Sequence, residues 1–234
     1  MGRIYATDAK VSEDSQKAII LHNLDEEVLI LGTDLKSDKN TGIIRFIPFP
    51  SQPKIRLAES KALESAANLI ESHGLKFIHQ AKGGVQSTQA VEIRFNQKAR
   101  AHDITTIKSN DALGFRNWVN EFFKNKGLPQ QKEYPDIEGV VADYVKRGIV
   151  YFVFDFVEVT DKTLSIEPIE YRFTSKELYY PLKTSNTFGG QGSIDLIVII
   201  PATICDPLYP DFYRMRATTS SPIAVEELKN IFPE

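Results

Sequence analysis

The stretch DALGFRNWVNEFFKNK (residues 111–126) places Phe115, Trp118, Val119, Phe122 and Phe123 at steps of 0, 3, 4, 7 and 8. That spacing makes one apolar face of a helix. DIEGVVADYVKR (136–147) repeats the pattern with Ile137, Val140, Val141, Tyr144 and Val145, and Gly148 stops the helix. Residues 149–159, IVYFVFDFVEV, then read as a strand with Phe152, Phe154 and Phe156 on one side. Agreement of period, length and end signals marks a well-specified folded region without pointing to any chemistry. Trp118 shares its face with Phe115 and Phe122 and is expected to be buried.

Outward from this stretch, residues 17–22, 27–31 and 42–49 read as a three-stranded meander, ended by Pro48, Pro50 and Pro53. A helix follows at about 59–72, with Leu63, Ala66, Ala67 and Ile70 inward. Residues 89–97 alternate as a half-buried antiparallel strand, and 102–108 form a shorter one. Residues 149–159 and 164–173 are expected to pair as a hairpin. Further strands are expected at 194–200 and 213–218. A final helix after Ser221-Pro222 is expected to turn Ala224, Val225, Leu228, Ile231 and Phe232 inward. There is no regular βαβ alternation, so a doubly wound parallel fold is disfavoured. The expectation is an α+β fold: largely antiparallel sheet covered by about four helices. Residues 1–15 are read as a flexible segment and 16–234 as a single domain, with 127–135 either a sub-domain boundary or an ordinary helix–helix connection.

With 28 basic and 31 acidic residues, no charge excess drives the chain onto nucleic acid or an anionic membrane. The basic residues Arg94, Lys98, Arg100, His102 and Lys108 lack interleaved aromatics and read as a solvated face. No apolar run approaches the ~20 residues of a membrane-spanning helix. A single cysteine, Cys205, excludes an internal disulfide and a cysteine-based zinc site. The opening residues MGRIYATD hold no hydrophobic signal core, although a Met-Gly start also fits a chain whose signal peptide has been removed.

The search for chemistry assigns no catalytic residue. The four histidines, His22, His73, His79 and His102, show no i,i+4 metal spacing. His73 reads as a helix-end residue, His79 as a structural one, and His102 makes no dyad with its neighbour Asp103, which faces the other way along a strand. Cys205 has no base beside it, and there is no GxSxG. The loops at 82–84 and 189–192 match no phosphate-binding pattern. Asp155 interrupts the face of Tyr151, Val153, Val157 and Val159; it is either a desolvated acid with a raised pKa, an outward residue on a partly covered sheet face, or a residue paired with a nearby Arg or Lys. Glu167 and Glu170, around Pro168, read as solvated. No metal and no cofactor is implied. The feature that stands out is the aromatic, proline-punctuated pair of segments 178–182 and 207–213. Their Tyr179, Tyr180, Tyr209, Phe212 and Tyr213 are candidate binding residues for a protein or glycan partner, or else fold back to close the core or a sheet edge.

Four segments in order, IIRFIPFPS (43–51), residues 103–128 with Asn117-Trp118-Val119, YVKRG (144–148) running into an aromatic strand, and IEPIEYRFTSKELYYPL (166–182), resemble the uncharacterised prokaryotic proteins grouped as domain of unknown function 2330. The resemblance runs from about residue 16 to residue 200. It implies an extracytoplasmic, often membrane-tethered protein and carries no established activity, cofactor or site residue. The functional expectation is an envelope-associated interaction or ligand-binding domain without catalysis. The alternative is a hydrolase whose carboxylate and histidine are assembled by the fold.

Overall fold

The computed structural model describes residues 2–5, 10–59, 61–73, 79–81, 84–86, 102–162, 164–186, 193–201 and 223–233. In chain order the elements are β1 (Gly2–Tyr5), β2 (Val11–His22), β3 (Glu26–Ser37), β4 (Thr41–Phe49), β5 (Lys54–Leu57), α1 (Ala62–Ser72), β6 (His79–Ala81), β7 (Gly84–Gln86) and β8 (Asp103–Lys108). Next come α2 (Ala112–Asn125), α3 (Pro135–Lys146), β9 (Tyr151–Val159), β10 (Leu164–Thr174), a 3-10 turn (Leu182–Asn186), β11 (Ser193–Ile199) and α4 (Val225–Leu228).

Two sheets carry the architecture, one ordered β1-β4-β9-β8 and the other β11-β2-β3-β10-β5. Every pair is antiparallel except β11 on β2. The fold is therefore α+β with antiparallel-dominated sheets, as expected. Among the described residues the short β6 and β7 pair with each other alone.

The two faces of β9 build two different cores. Phe152 and Phe154 pack with Phe115, Val119 and Phe123 of α2 and with Ile137, Val141 and Tyr144 of α3. Val153, Val157 and Val159 face the other way, onto residues of β3 and β10 such as Leu29, Leu31, Leu35, Ile166 and Ile169. A third cluster joins the far side of β2 and β3 to Leu63, Ala66 and Leu69 of α1 and to Ile231 and Phe232. The layers thus run helices, sheet, sheet, helices.

The helix ends follow from the local sequence. The Asp111 carboxylate accepts the Gly114 N–H at 2.6 Å and caps α2. Gly127 (φ 68) and Gly148 (φ 80) end α2 and α3 in the left-handed region. Leu128 N–H then bonds to Phe123 O and Ile149 N–H to Tyr144 O, the 6→1 bond of a Schellman end. Residues 127–134 join two helices of one core cluster, and the Tyr134 hydroxyl donates to Asn120 Oδ1 at 2.9 Å.

Several expectations need correction. The meander does not form: β4 leaves β2 and β3 and joins the other sheet. The hairpin of residues 149–159 with 164–173 is also absent, because β9 and β10 lie in opposite sheets. In both cases the apolar faces of successive strands meet between the sheets, an outcome period-two alternation cannot distinguish from a hairpin. Residues 2–5 and 11–15, expected in a flexible segment, are strand. At the other end α4 has four residues, with Ala224 and Val225 exposed while Ile231 and Phe232 are buried. Glu170 is not solvated; it is 3% exposed and accepts two bonds from Arg56. The strand expected at 89–97 and the one at 213–218 lie outside the described residues.

Trp118 is half-buried rather than enclosed, its ring 4.1 Å from that of Phe154. Phe115 is fully buried and touches the rings of Phe46, Phe152 and Phe154. Phe115→Ala is expected to cost about 3–5 kcal/mol and Trp118→Ala about 2 kcal/mol. Urea unfolding of the two variants checks the order; an equal or reversed loss would place the anchor of α2 at Trp118.

Candidate functional site

Arg45 and Asp155 are directly opposed in the β4–β9 register, and both are 3% exposed. Each interrupts an otherwise apolar inward face, so the two charges meet between the sheets. The Arg45 guanidinium donates through Nη2 to Asp155 Oδ2 and through Nη1 to the Thr33 hydroxyl of β3 at 2.6 Å. One side chain therefore links both sheets. On the other flank of the carboxylate, His102 Nδ1 lies 3.0 and 3.1 Å from the two oxygens.

Burial pushes the Asp155 carboxyl up, but the Arg45 guanidinium and His102 outweigh it and hold the group below its ordinary value. The raised pKa entertained from sequence is thus corrected, and Asp155 is no acid donor. An ionised carboxylate only accepts, so His102 donates from Nδ1. Its Nε2 is buried with no hydrogen-bond partner among the described residues. An oriented imidazole with a free Nε2 has the geometry of a general base. Here, however, the His102 side chain is 7% exposed and its carboxylate is already neutralised by Arg45. The arrangement's evident work is to tie the sheets together.

A second polar group closes one end of the inter-sheet core. Residues 175–186 cross that end as a strap. Ser175 N–H donates to Asp25 O at 2.9 Å, and its carbonyl accepts from His22 Nε2 at 3.0 Å. His22 Nδ1 accepts the Leu24 N–H, so the ring is held as the Nε2–H tautomer. Tyr179 donates its N–H to Glu27 Oε2 and its hydroxyl to Pro48 O, both at 2.8 Å. The Tyr180 hydroxyl donates to Gln16 Oε1 at 2.8 Å. Glu27 is fully buried, and its Oε1 has no partner among the described residues. Burial pushes its carboxyl up to about 8, against the opposing pull of the Tyr179 N–H.

Of the residues singled out by sequence, Tyr179 and Tyr180 are half-buried against the inter-sheet core with their hydroxyls turned inward. Tyr209, Phe212 and Tyr213 lie outside the described residues, as do Cys205 and the side chain of His79. His73 Nε2 pairs with Glu227 Oε1 at 2.9 Å, tying the end of α1 to α4. Asp155 and His102 come together; Arg45, Glu27 and Thr33 had drawn no notice. Their signal was present, for Arg45 is a lone charge within 43–49 just as Asp155 is within 151–157. Among the described residues no group of three or more His, Cys, Asp or Glu is placed to hold a metal ion. No helix among them is long and apolar enough to cross a membrane.

These features define an α+β protein whose two stacked sheets are joined by buried polar groups. The chain belongs to the family described as an uncharacterised protein conserved in bacteria (DUF2330), whose model matches residues 2–203. No curated protein matches it. Among solved structures it is similar to a mutated baculovirus P35 after caspase cleavage, with 7% identity and a TM-score of 0.35. That match covers 70% of this chain and 55% of that one, so the chain spans about half the length of P35, and so slight a likeness carries no argument.

Arg45→Met strands the Asp155 carboxylate in the interior and is expected to cost about 3–5 kcal/mol, whereas Arg45→Met with Asp155→Leu costs less than the single change. The lowered carboxyl stabilises the fold fully above its ordinary value near 3.8, and that contribution is lost as pH falls through its folded value. The stability gap between wild type and Asp155→Asn should therefore narrow in acid. Urea midpoints at pH 6 and pH 3 measure it, and a constant gap would contradict the assignment.

Proposed function

We propose that the protein is a non-catalytic interaction or ligand-binding domain of the bacterial cell envelope. In this reading its contact surface is the end of the second sheet, where the turn at 23–25 meets the strap at 175–186. The observation that carries it is Leu24, a leucine with φ 83 whose surface is 58% exposed. A left-handed backbone costs a residue with a Cβ roughly 1–2 kcal/mol, and Asn or Gly relieves it. Asn23 Oδ1 accepts the N–H groups of Asp25 and Glu26, which holds the turn in place around the strain. Packing offers no return for an apolar side chain displayed there, whereas a contact surface does.

Leu178 and Leu182, 47% and 58% exposed, stand on the strap that the Ser175–Asp25 bond joins to this turn. Tyr179 and Tyr180 serve as struts: their inward bonds stiffen the strap and lower the ordering cost of binding. Leucines on a rigid surface suit an apolar protein segment better than a glycan, which stacks on aromatic faces. The envelope placement rests on the family resemblance. The hydrolase reading has one observation behind it, the Asp155–His102 pair, and the enclosure of both side chains favours binding over catalysis.

Leu24→Asn is expected to raise stability by about 1 kcal/mol while weakening retention of the partner from an envelope extract by the immobilised protein. Leu178→Asp with Leu182→Asp should abolish retention at unchanged melting temperature. Retention equal to wild type in both variants would remove the proposed surface.

A further inference from the structure

We infer that Glu27 is a protonation latch on the strap: neutral, it keeps residues 175–186 seated over the end of the inter-sheet core, and on losing its proton it favours their release. The geometry carries this. Glu27 lies on β3 between β2 and β10, with its backbone fixed by register to His22 and Phe173. Its side chain is fully buried, yet one oxygen lacks any partner among the described residues and the other is covered by the strap's own Tyr179 N–H. A neutral carboxyl tolerates that enclosure, whereas a carboxylate needs water or a cation.

Among the described residues, the groups around Glu27 offer it no cation. His22, its cross-strand neighbour, has both ring nitrogens engaged, by Ser175 O and the Leu24 N–H. From β10 the facing residue is Phe173. From the strap come the Tyr179 amide and a phenol already bonded to Pro48 O. Tyr144 of α3 and Arg147 at its end act on Tyr179; among the described residues, burial and the Tyr179 N–H set the Glu27 carboxyl. The element free to move is the strap, because β3 is held on both sides by its ladders. Lifting it would hydrate the carboxylate.

The sign follows from the two carboxyl values, about 8 when closed and near 4.5 when exposed. Below the lower value both states hold the proton and the strap is most secure. Between about pH 5 and 7.5 the open strap has lost a proton that the closed one keeps, so opening becomes about tenfold more frequent per pH unit. Above the upper value the dependence levels off. The inference concerns the order of the strap, and it extends to regulation of the proposed contact surface only if that reading holds.

Amide hydrogen exchange between pH 5 and 8, corrected for intrinsic chemistry, tests it. In wild type the opening constants of the Ser175 and Tyr179 amides should rise about tenfold per unit, while those of Ile30 and Ile44 in the sheets change far less. Glu27→Gln should flatten the strap's dependence. Tyr179→Phe, which removes the bond to Pro48, should raise opening at every pH and keep the slope. A strap slope near zero, an unchanged slope in Glu27→Gln, or an equal slope in the sheet amides would each overturn the latch. Should Glu27→Gln fail to fold, the wild-type contrast between strap and sheets decides alone. Exchange reads the order of the strap and retention reads the partner, so failure of one leaves the other standing.

Discussion

The stacking of the two sheets turns on the Arg45 guanidinium. A charge enclosed between two apolar faces is tolerated only where other groups replace water around it, and Asp155 and Thr33 do so from opposite sheets. The apolar contacts on either side would be satisfied at several offsets, since Val, Ile and Leu pack interchangeably. The guanidinium is less forgiving. It sits between the two inter-sheet clusters, and a slide of one sheet over the other by a residue pair would keep Arg45 on Asp155 but break its bond to Thr33 and set the guanidinium against hydrocarbon. Hydrophobic burial supplies the driving force, and this one polar contact selects the alignment.

Sequence made the faces legible and left the pairings hidden. Phe152, Phe154 and Phe156 alternate with Val153, Val157 and Val159, so alternation alone assigns the two sides of β9. It does not say which strands stand beside β9, because β4 and β8 carry the same alternation as β10. The residues between β3 and β4 and between β9 and β10 have the polar composition of hairpin turns, yet the strands they join lie in opposite sheets. Helices α2 and α3 are legible nearly to the residue because their periodicity, caps and terminal glycines are local properties.

The polar interior was half legible for the same reason. Asp155 stood out as a charge among valines, but its partners lie on β4 and just ahead of β8, far off in sequence. Beside His102 the sequence offers only Asp103 as a carboxylate, whereas the ring's partner, Asp155, lies far along the chain. Glu27 escaped notice because a glutamate beside a turn is ordinarily solvated; only the return of residues 175–186 encloses it. The tyrosines of that segment were noticed as displayed aromatics, and their inward hydroxyl bonds depend on Gln16 and Pro48, which no local pattern could supply.

The parallel pairing of β11 with β2 bears on how the molecule comes into being. The hairpin of β2 and β3 can form as soon as residues 11–37 leave the ribosome, since its contacts are local. The neighbour that covers the other side of β2 is residues 193–199, made only when most of the chain has been synthesised. Until then β2 presents an unpaired edge rich in isoleucine and leucine, the kind of surface that recruits strands from other chains. Closure of the second sheet thus waits on a segment far along the chain, and the edge of β2 stays open for most of its synthesis.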